Sequence, residues 1–171
     1  PSLQRLGLQY LWIAFGQGAR ARWIPVHEVV TTIGPEKTSG ILYFHAFTGC
    51  DVVSSFHGKG KKSAWLTWEV CGEVSETFTK LSNCSTEVSE DDLQKLEKFV
   101  VLMYDRSSAA IGVNEARLDL FARKGRSYDA IPPTCMALKE HAKHAAYQAG
   151  MMWGQVTVSN PESISPAYRG W

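Results

Sequence analysis

The sequence predicts a mostly helical α/β chain: a short hairpin of edge strands, then a series of helices ending in a C-terminal helical bundle. Three observations predict it. Strand-like runs of aromatic and branched residues occur only before residue 25. From Val26 onward the apolar residues recur at helical spacing. Gly-Pro, Pro-Pro and single glycines punctuate those segments where helices must stop.

The elements follow in order. Leu8–Phe15 (LQYLWIAF) reads as a buried strand ended by Gly16. Residues 17–22 (QGARAR) form a basic turn, and Arg22-Trp23-Ile24 is a second short strand, together an edge hairpin whose parent sheet lies outside the chain. Pro25 opens a helix over Val26–Ile33, which Gly34-Pro35 closes. Glu36–Thr48 is a second, mostly apolar helix in which His45 reads as a core residue, ended at Gly49. A loop runs to Lys62, and Lys62–Val70 is helical with Trp65 and Trp68 on one face. A short helical turn is expected at Glu76–Leu81 and a polar loop at 83–86. Ser89 with Asp92 makes a capping-box pair for a helix carrying Leu93, Leu96, Val100 and Met103 to about Tyr104. Asn114–Lys124 is a helix expected to bury Leu118 and Phe121 and to stop at Gly125. Pro132-Pro133-Thr134 introduces the last helix, to Trp153, with Leu138, His141, Ala145, Gln148 and Met152 on one face. Residues 159–171 are an irregular tail.

Composition bounds the function. With 44% apolar and 20% charged residues in 171, the chain is neither a disordered tail nor a coiled coil. Lys+Arg 18 against Asp+Glu 17 leaves +1, so a polyanion would have to be held by a local patch. No apolar run reaches the roughly 18 residues that cross a bilayer, and no signal peptide is visible. Because it begins at Pro1 and not Met, the chain is expected to be a fragment or a processed form. Cys50, Cys71, Cys84 and Cys135 lack metal-ligand spacing and read as reduced intracellular thiols.

The local patch lies in residues 45–64, HAFTGCDVVSSFHGKGKKSA. Gly58, Lys59, Gly60, Lys61 and Lys62 place two glycines and three cations just before Ser63 and a helix start. Glycines let backbone N–H groups approach a ligand, and a helix N-terminus offers unpaired donors, so the bend suits a phosphate. It lacks the GxxxxGK[ST] pattern of a nucleotide-binding loop, which points to a nucleic-acid backbone. Asp51 follows an apolar helix, where an acid is costly unless paired or metal-bound. Its alternative role is a helix cap. Ser54 and Ser55 read as turn residues, the His141/His144 pair is compatible with a metal but without further ligands, and Cys50 has no recognisable His–acid pair to activate it.

Gly49-Cys50-Asp51-Val52 and Gly58-Lys59-Gly60-Lys61-Lys62-Ser63-Ala64 resemble the paired motifs of the helix-two-turn-helix region in the flap endonuclease/XPG family, over roughly residues 8–70. The resemblance implies a partial PIN-like sheet and nuclease core over 1–72, then a helical extension over 73–158. It implies that Asp51 is a catalytic, Mg²⁺-binding carboxylate. It further implies that Gly58, Lys59, Gly60, Lys61, Lys62 and Ser63 grip a DNA backbone, with a monovalent cation at the turn, in a nuclear protein. Only Glu28 and Glu36 precede Asp51 as carboxylates, so the chain is expected to be catalytically incomplete by itself. The HAFTGCD…GKGKK block and the later PPT…AL..H…A.YQAG..WG block together are also similar to those of a group of animal proteins, of which the chain looks like the C-terminal half. The alternative reading is a non-catalytic, PIN-derived scaffold or protein-interaction module.

Overall fold

The computed structural model describes residues 7–83, 87–123, 128–156 and 158–160. The chain forms two compact units, Pro1–Ser39 and Gly40–Trp171. Among the described residues the architecture is mostly helical with one two-stranded antiparallel sheet.

In the first unit, β1 (Trp12–Phe15) pairs with β2 (Arg22–Pro25), Ile13 opposite Ile24 and Ala14 opposite Trp23. The strand is shorter than Leu8–Phe15 and is not buried: Trp12, Ile13, Phe15 and Trp23 are all exposed. A two-stranded ribbon alone cannot cover its own faces, so β-branched and aromatic composition gives the strand but not its burial. Helix α1 (Val26–Phe47) starts directly after β2 and is broken at Gly34, whose φ of 80° and ψ of 165° leave the helical region. The residue before a proline avoids the helical region, and glycine alone takes this φ without strain, so Gly34-Pro35 divides two helical segments as the sequence predicts.

In the second unit the end of α1 packs with α2 (Lys61–Val70), α3 (Val74–Ser82), α4 (Glu90–Tyr104), α5 (Val113–Ala122) and α6 (Cys135–Ala146), which continues as a π-helical stretch over Tyr147–Trp153. One apolar core joins them, running from Tyr43 through Trp68, Phe78 and Phe99 to Leu138 and Ala149. Helices on both sides of residue 72 share that core. Its centre is aromatic: Phe44–Trp68, Trp68–Phe78 and Phe78–Phe99 ring centroids lie 4.9, 5.0 and 5.3 Å apart. Each such pair contributes about 0.5–1.5 kcal/mol beyond its buried area. The buried Trp68 indole donates to Ser75 Oγ at 2.8 Å, and the Tyr43 hydroxyl donates to the Ala142 carbonyl at 3.3 Å.

Helix α4 carries the predicted capping box. Ser89 Oγ accepts from the Asp92 amide at 3.2 Å, and the Ser89 amide donates to Asp92 Oδ2 at 3.0 Å. Helix α3 is longer than the turn expected at Glu76–Leu81, because Val74 and Ser82 also face the core. Helix α5 turns the other way from expectation: Val113, Ala116 and Leu120 are buried, while Leu118 and Phe121 are exposed. The apolar residues of that segment lie on two faces, and the face with Ala116 and Leu120 wins. On the last helix Met151 is buried and Met152 exposed, since the π-helical stretch adds residues per turn and shifts the face. Residues 84–86 of the loop expected at 83–86, the stop at Gly125 and most of the 159–171 tail lie outside the described residues. Among the described residues Cys50, Cys71 and Cys135 are free thiols, and no helix is long and apolar enough to cross a membrane.

Candidate functional site

The segment between α1 and α2 is ordered by two apolar anchors. Val53 and Phe56 are buried in the core, and the residues beside them, Ser54, Ser55 and His57, are exposed. Gly49 begins the segment at φ 100° because Ser55 closes over it: a Cβ at Gly49 would lie 2.4 Å from the Ser55 Cβ. The Cys50 amide donates to the Val53 carbonyl at 2.9 Å, which folds Asp51 and Val52 outward. The Lys59 amide donates to the Phe56 carbonyl at 3.0 Å, closing a turn with Gly58 at the third position, where its φ of 68° is required.

Gly60 is the N-cap of α2, with extended backbone and no side chain bonding to the first turn. The first intrahelical bond is the Ala64 amide to the Gly60 carbonyl at 3.0 Å. The amides of Lys61, Lys62 and Ser63 therefore have no partner within the helix, and the helix dipole places positive potential there. A Cβ at Gly58 or at Gly60 would meet open space, so nothing crowds an approaching ligand.

The three lysines of the bend have different fates. Lys62 is exposed and makes no hydrogen bond or ion pair among the described residues. Lys59 is half-buried, its ammonium 4.9 Å from the centre of the Tyr104 ring. Lys61 turns inward: its ammonium donates to the His45 carbonyl and, at 2.7 Å, to Thr48 Oγ1. It thus satisfies a carbonyl in the last turn of α1, a usual place for a cation. Burial lowers the Lys61 pKa, and Cys50 nearby opposes that shift. Lys61 ties the bend to α1, and of the three expected phosphate cations only Lys62 stands wholly in solvent.

Asp51 is exposed and lines a cleft of about 380 Å³ with His45, Gly49, Cys50, Gln148 and Trp153. His45, expected in the core, is exposed on this cleft and lies against Trp153, ring centroids 5.3 Å apart. Burial lowers the pKa of His45, the Lys61 charge lowers it further, and the Asp51 charge acts against both. Among the described residues no group of three His, Cys, Asp or Glu side chains is placed to hold a metal ion. A Mg²⁺ ion at Asp51 would need further carboxylates from outside the described residues. Trp68 is core, and Trp65 is partly buried against it and donates to Glu69 Oε1 at 3.0 Å, so neither ring stands free to stack on a base.

One pairing had no signal in the sequence. His141 and Ser54 are 87 residues apart, and His141 Nδ1 lies 3.1 Å from Ser54 Oγ, while its Nε2 lies 2.7 Å from the Phe47 carbonyl oxygen. Phe47 and Phe56 pack their rings on the imidazole at 5.2 and 5.0 Å. His144, one turn along α6, does not join it in a metal site among the described residues. Only the folding of α6 against the α1–α2 segment brings these groups together. Comparison with protein-family models, with curated proteins and with solved structures finds no match to this chain.

Proposed function

We propose that this chain is the nucleic-acid-binding portion of a nuclear, PIN-like, endonuclease-like protein, holding a DNA phosphate backbone at the bend Gly58–Ser63. The observation that carries the reading is the open start of α2. Its first-turn amides have no side-chain cap, both glycines border open space, and Lys62 is exposed beside them. A phosphate oxygen there would accept from the amides of Lys61, Lys62 and Ser63 while the Lys62 ammonium neutralises its charge. Lys59 would act from the side of the bend, and Lys61 would act by fixing the bend to α1 rather than by touching the ligand. A monovalent cation at the turn, if bound, would be held by backbone carbonyls of the same bend. No cleavage step is assigned, because Asp51 belongs to no group of three His, Cys, Asp or Glu side chains placed for a metal among the described residues. The second reading is a non-catalytic, PIN-derived scaffold or protein-interaction module.

A gel-shift series with flap, duplex and single-stranded DNA at two salt concentrations tests the proposal. Binding should weaken with salt, and Lys62→Ala should reduce the slope of log affinity against log salt by about one. Unchanged affinity and slope in that variant would remove the bend from the interface.

A further inference from the structure

The loop residue Ser54 and the helix residue His141 meet at the edge of a second cleft, of about 360 Å³, walled by Tyr104, Tyr128, Ile131, Pro132 and Ala137. Four observations make this more than a loop tie. First, the tautomer is fixed by its partners. A carbonyl can only accept, so His141 Nε2 carries the proton toward Phe47, and in the neutral ring Nδ1 is left to accept from the Ser54 hydroxyl. Second, burial lowers the His141 pKa, the Phe47 carbonyl opposes this and His144 adds to it, so the net shift favours the neutral ring that can take a proton. Third, Ser54 is exposed to the cleft while its base is half-buried, the arrangement of a reachable nucleophile on a positioned base. Fourth, in the exposed chain beyond it the amides of Ser55 and His57 form no hydrogen bond among the described residues, which leaves them open to a ligand oxygen. The cleft wall is itself held, since Arg117 Nη1 donates to the Pro132 carbonyl.

We propose that Ser54 and His141 form a nucleophile–base pair for acyl transfer from small, apolar carboxylic esters bound in this cleft. The volume suits a small ligand, and the tyrosine, proline and isoleucine walls suit an apolar one. Ser54 Oγ adds to the ester carbonyl carbon while its proton passes to His141 Nδ1. The Phe47 carbonyl, accepting from Nε2–H, orients the ring and stabilises its positive charge. The tetrahedral intermediate expels the alcohol, which takes the proton from Nδ1 and leaves an acyl-Ser54. Water, deprotonated by the same nitrogen, then releases the carboxylic acid and restores the serine. This site is separate in chemistry from the phosphate bend and does not depend on it.

The test treats the full chain with a fluorophosphonate probe and maps the adduct by mass spectrometry, with p-nitrophenyl butyrate turnover measured in parallel. The expected result is a single adduct on Ser54 and a burst of nitrophenol. Ser54→Ala should lose both, and His141→Gln should slow labelling and turnover by about 100-fold or more. Absence of an adduct at Ser54, or turnover that survives in Ser54→Ala, overturns the proposal. Ser54 is exposed and its substitution leaves the core intact, so this variant decides the matter even if His141→Gln does not fold.

Discussion

Lys61 and Lys62 are adjacent in sequence and opposite in role. Lys61 serves a carbonyl and a hydroxyl at the end of α1, and Lys62 serves solvent. Lys61→Ala should therefore destabilise the second unit by about 1.5–3 kcal/mol, the value of a charge-assisted hydrogen bond. Lys62→Ala should stay within about 0.5 kcal/mol of the parent in denaturant unfolding, while weakening DNA binding. The two substitutions separate stability from the proposed DNA binding at neighbouring positions. The glycines separate in the same way. At Gly49 a methyl group would meet Ser55 at 2.4 Å on top of a positive φ, whereas at Gly58 only the φ is unfavourable. Gly49→Ala should cost about 2–4 kcal/mol and Gly58→Ala about 1–2 kcal/mol, read from unfolding midpoints at constant m-value. The bend itself was legible from the sequence, because glycines and a helix start are local. The inward turn of Lys61 was not, because its acceptors at His45 and Thr48 become neighbours only once α1 and α2 pack.

Helix ends show how far local rules reach. The Ser89–Asp92 box and the Gly34-Pro35 break lie where residue chemistry puts them, since both depend on side chains and φ angles within four residues. The buried face of α5 could not be read that way: Leu118 and Phe121 are as apolar as Leu120, and only packing against α4 selects among them. Asp105, at the C-cap of α4, links the ends of two helices. It accepts from the Ser107 amide and hydroxyl at 3.0 and 2.7 Å and from Arg123 Nη1, at the C-cap of α5, at 2.7 Å. The Ser107 hydrogen bonds, then Arg123, lower its pKa from 3.8 to about 2. A carboxylate depressed in the folded state stabilises it fully above the unfolded pKa and loses that contribution as pH falls through the folded one. Stability of the parent should decline between pH values of about 4 and about 2 for this reason. In Asp105→Asn that part of the acid limb should be flatter, leaving the share of Asp92. Asp92 is raised by burial but lowered more by Lys80 and Ser89. Identical acid limbs in the two proteins would show that Asp105 adds nothing.

At the scale of the molecule, a net charge of +1 gives no general attraction for a polyanion, so any affinity must come from where charge and donors are placed. The placement is unequal: of three lysines in the bend, one caps a helix, one stacks on Tyr104 and one is exposed. The mostly helical class with a minor hairpin could be read from periodicity and punctuation. The single core spanning residue 72 could not, because periodicity marks the apolar face of a helix without naming what covers it. The Ser54–His141 pair was hidden for the same reason, since no spacing rule reaches across 87 residues.

The central claim is that the uncapped amides at the start of α2 hold a phosphate. Amide ¹H–¹⁵N spectra recorded while a short DNA duplex is titrated into the chain at low salt test it most directly. The account predicts the largest shifts at Gly60, Lys61, Lys62 and Ser63, reversed by added salt. Resonances that stay in place at those four residues while others move, or a spectrum that does not change at all, would contradict it.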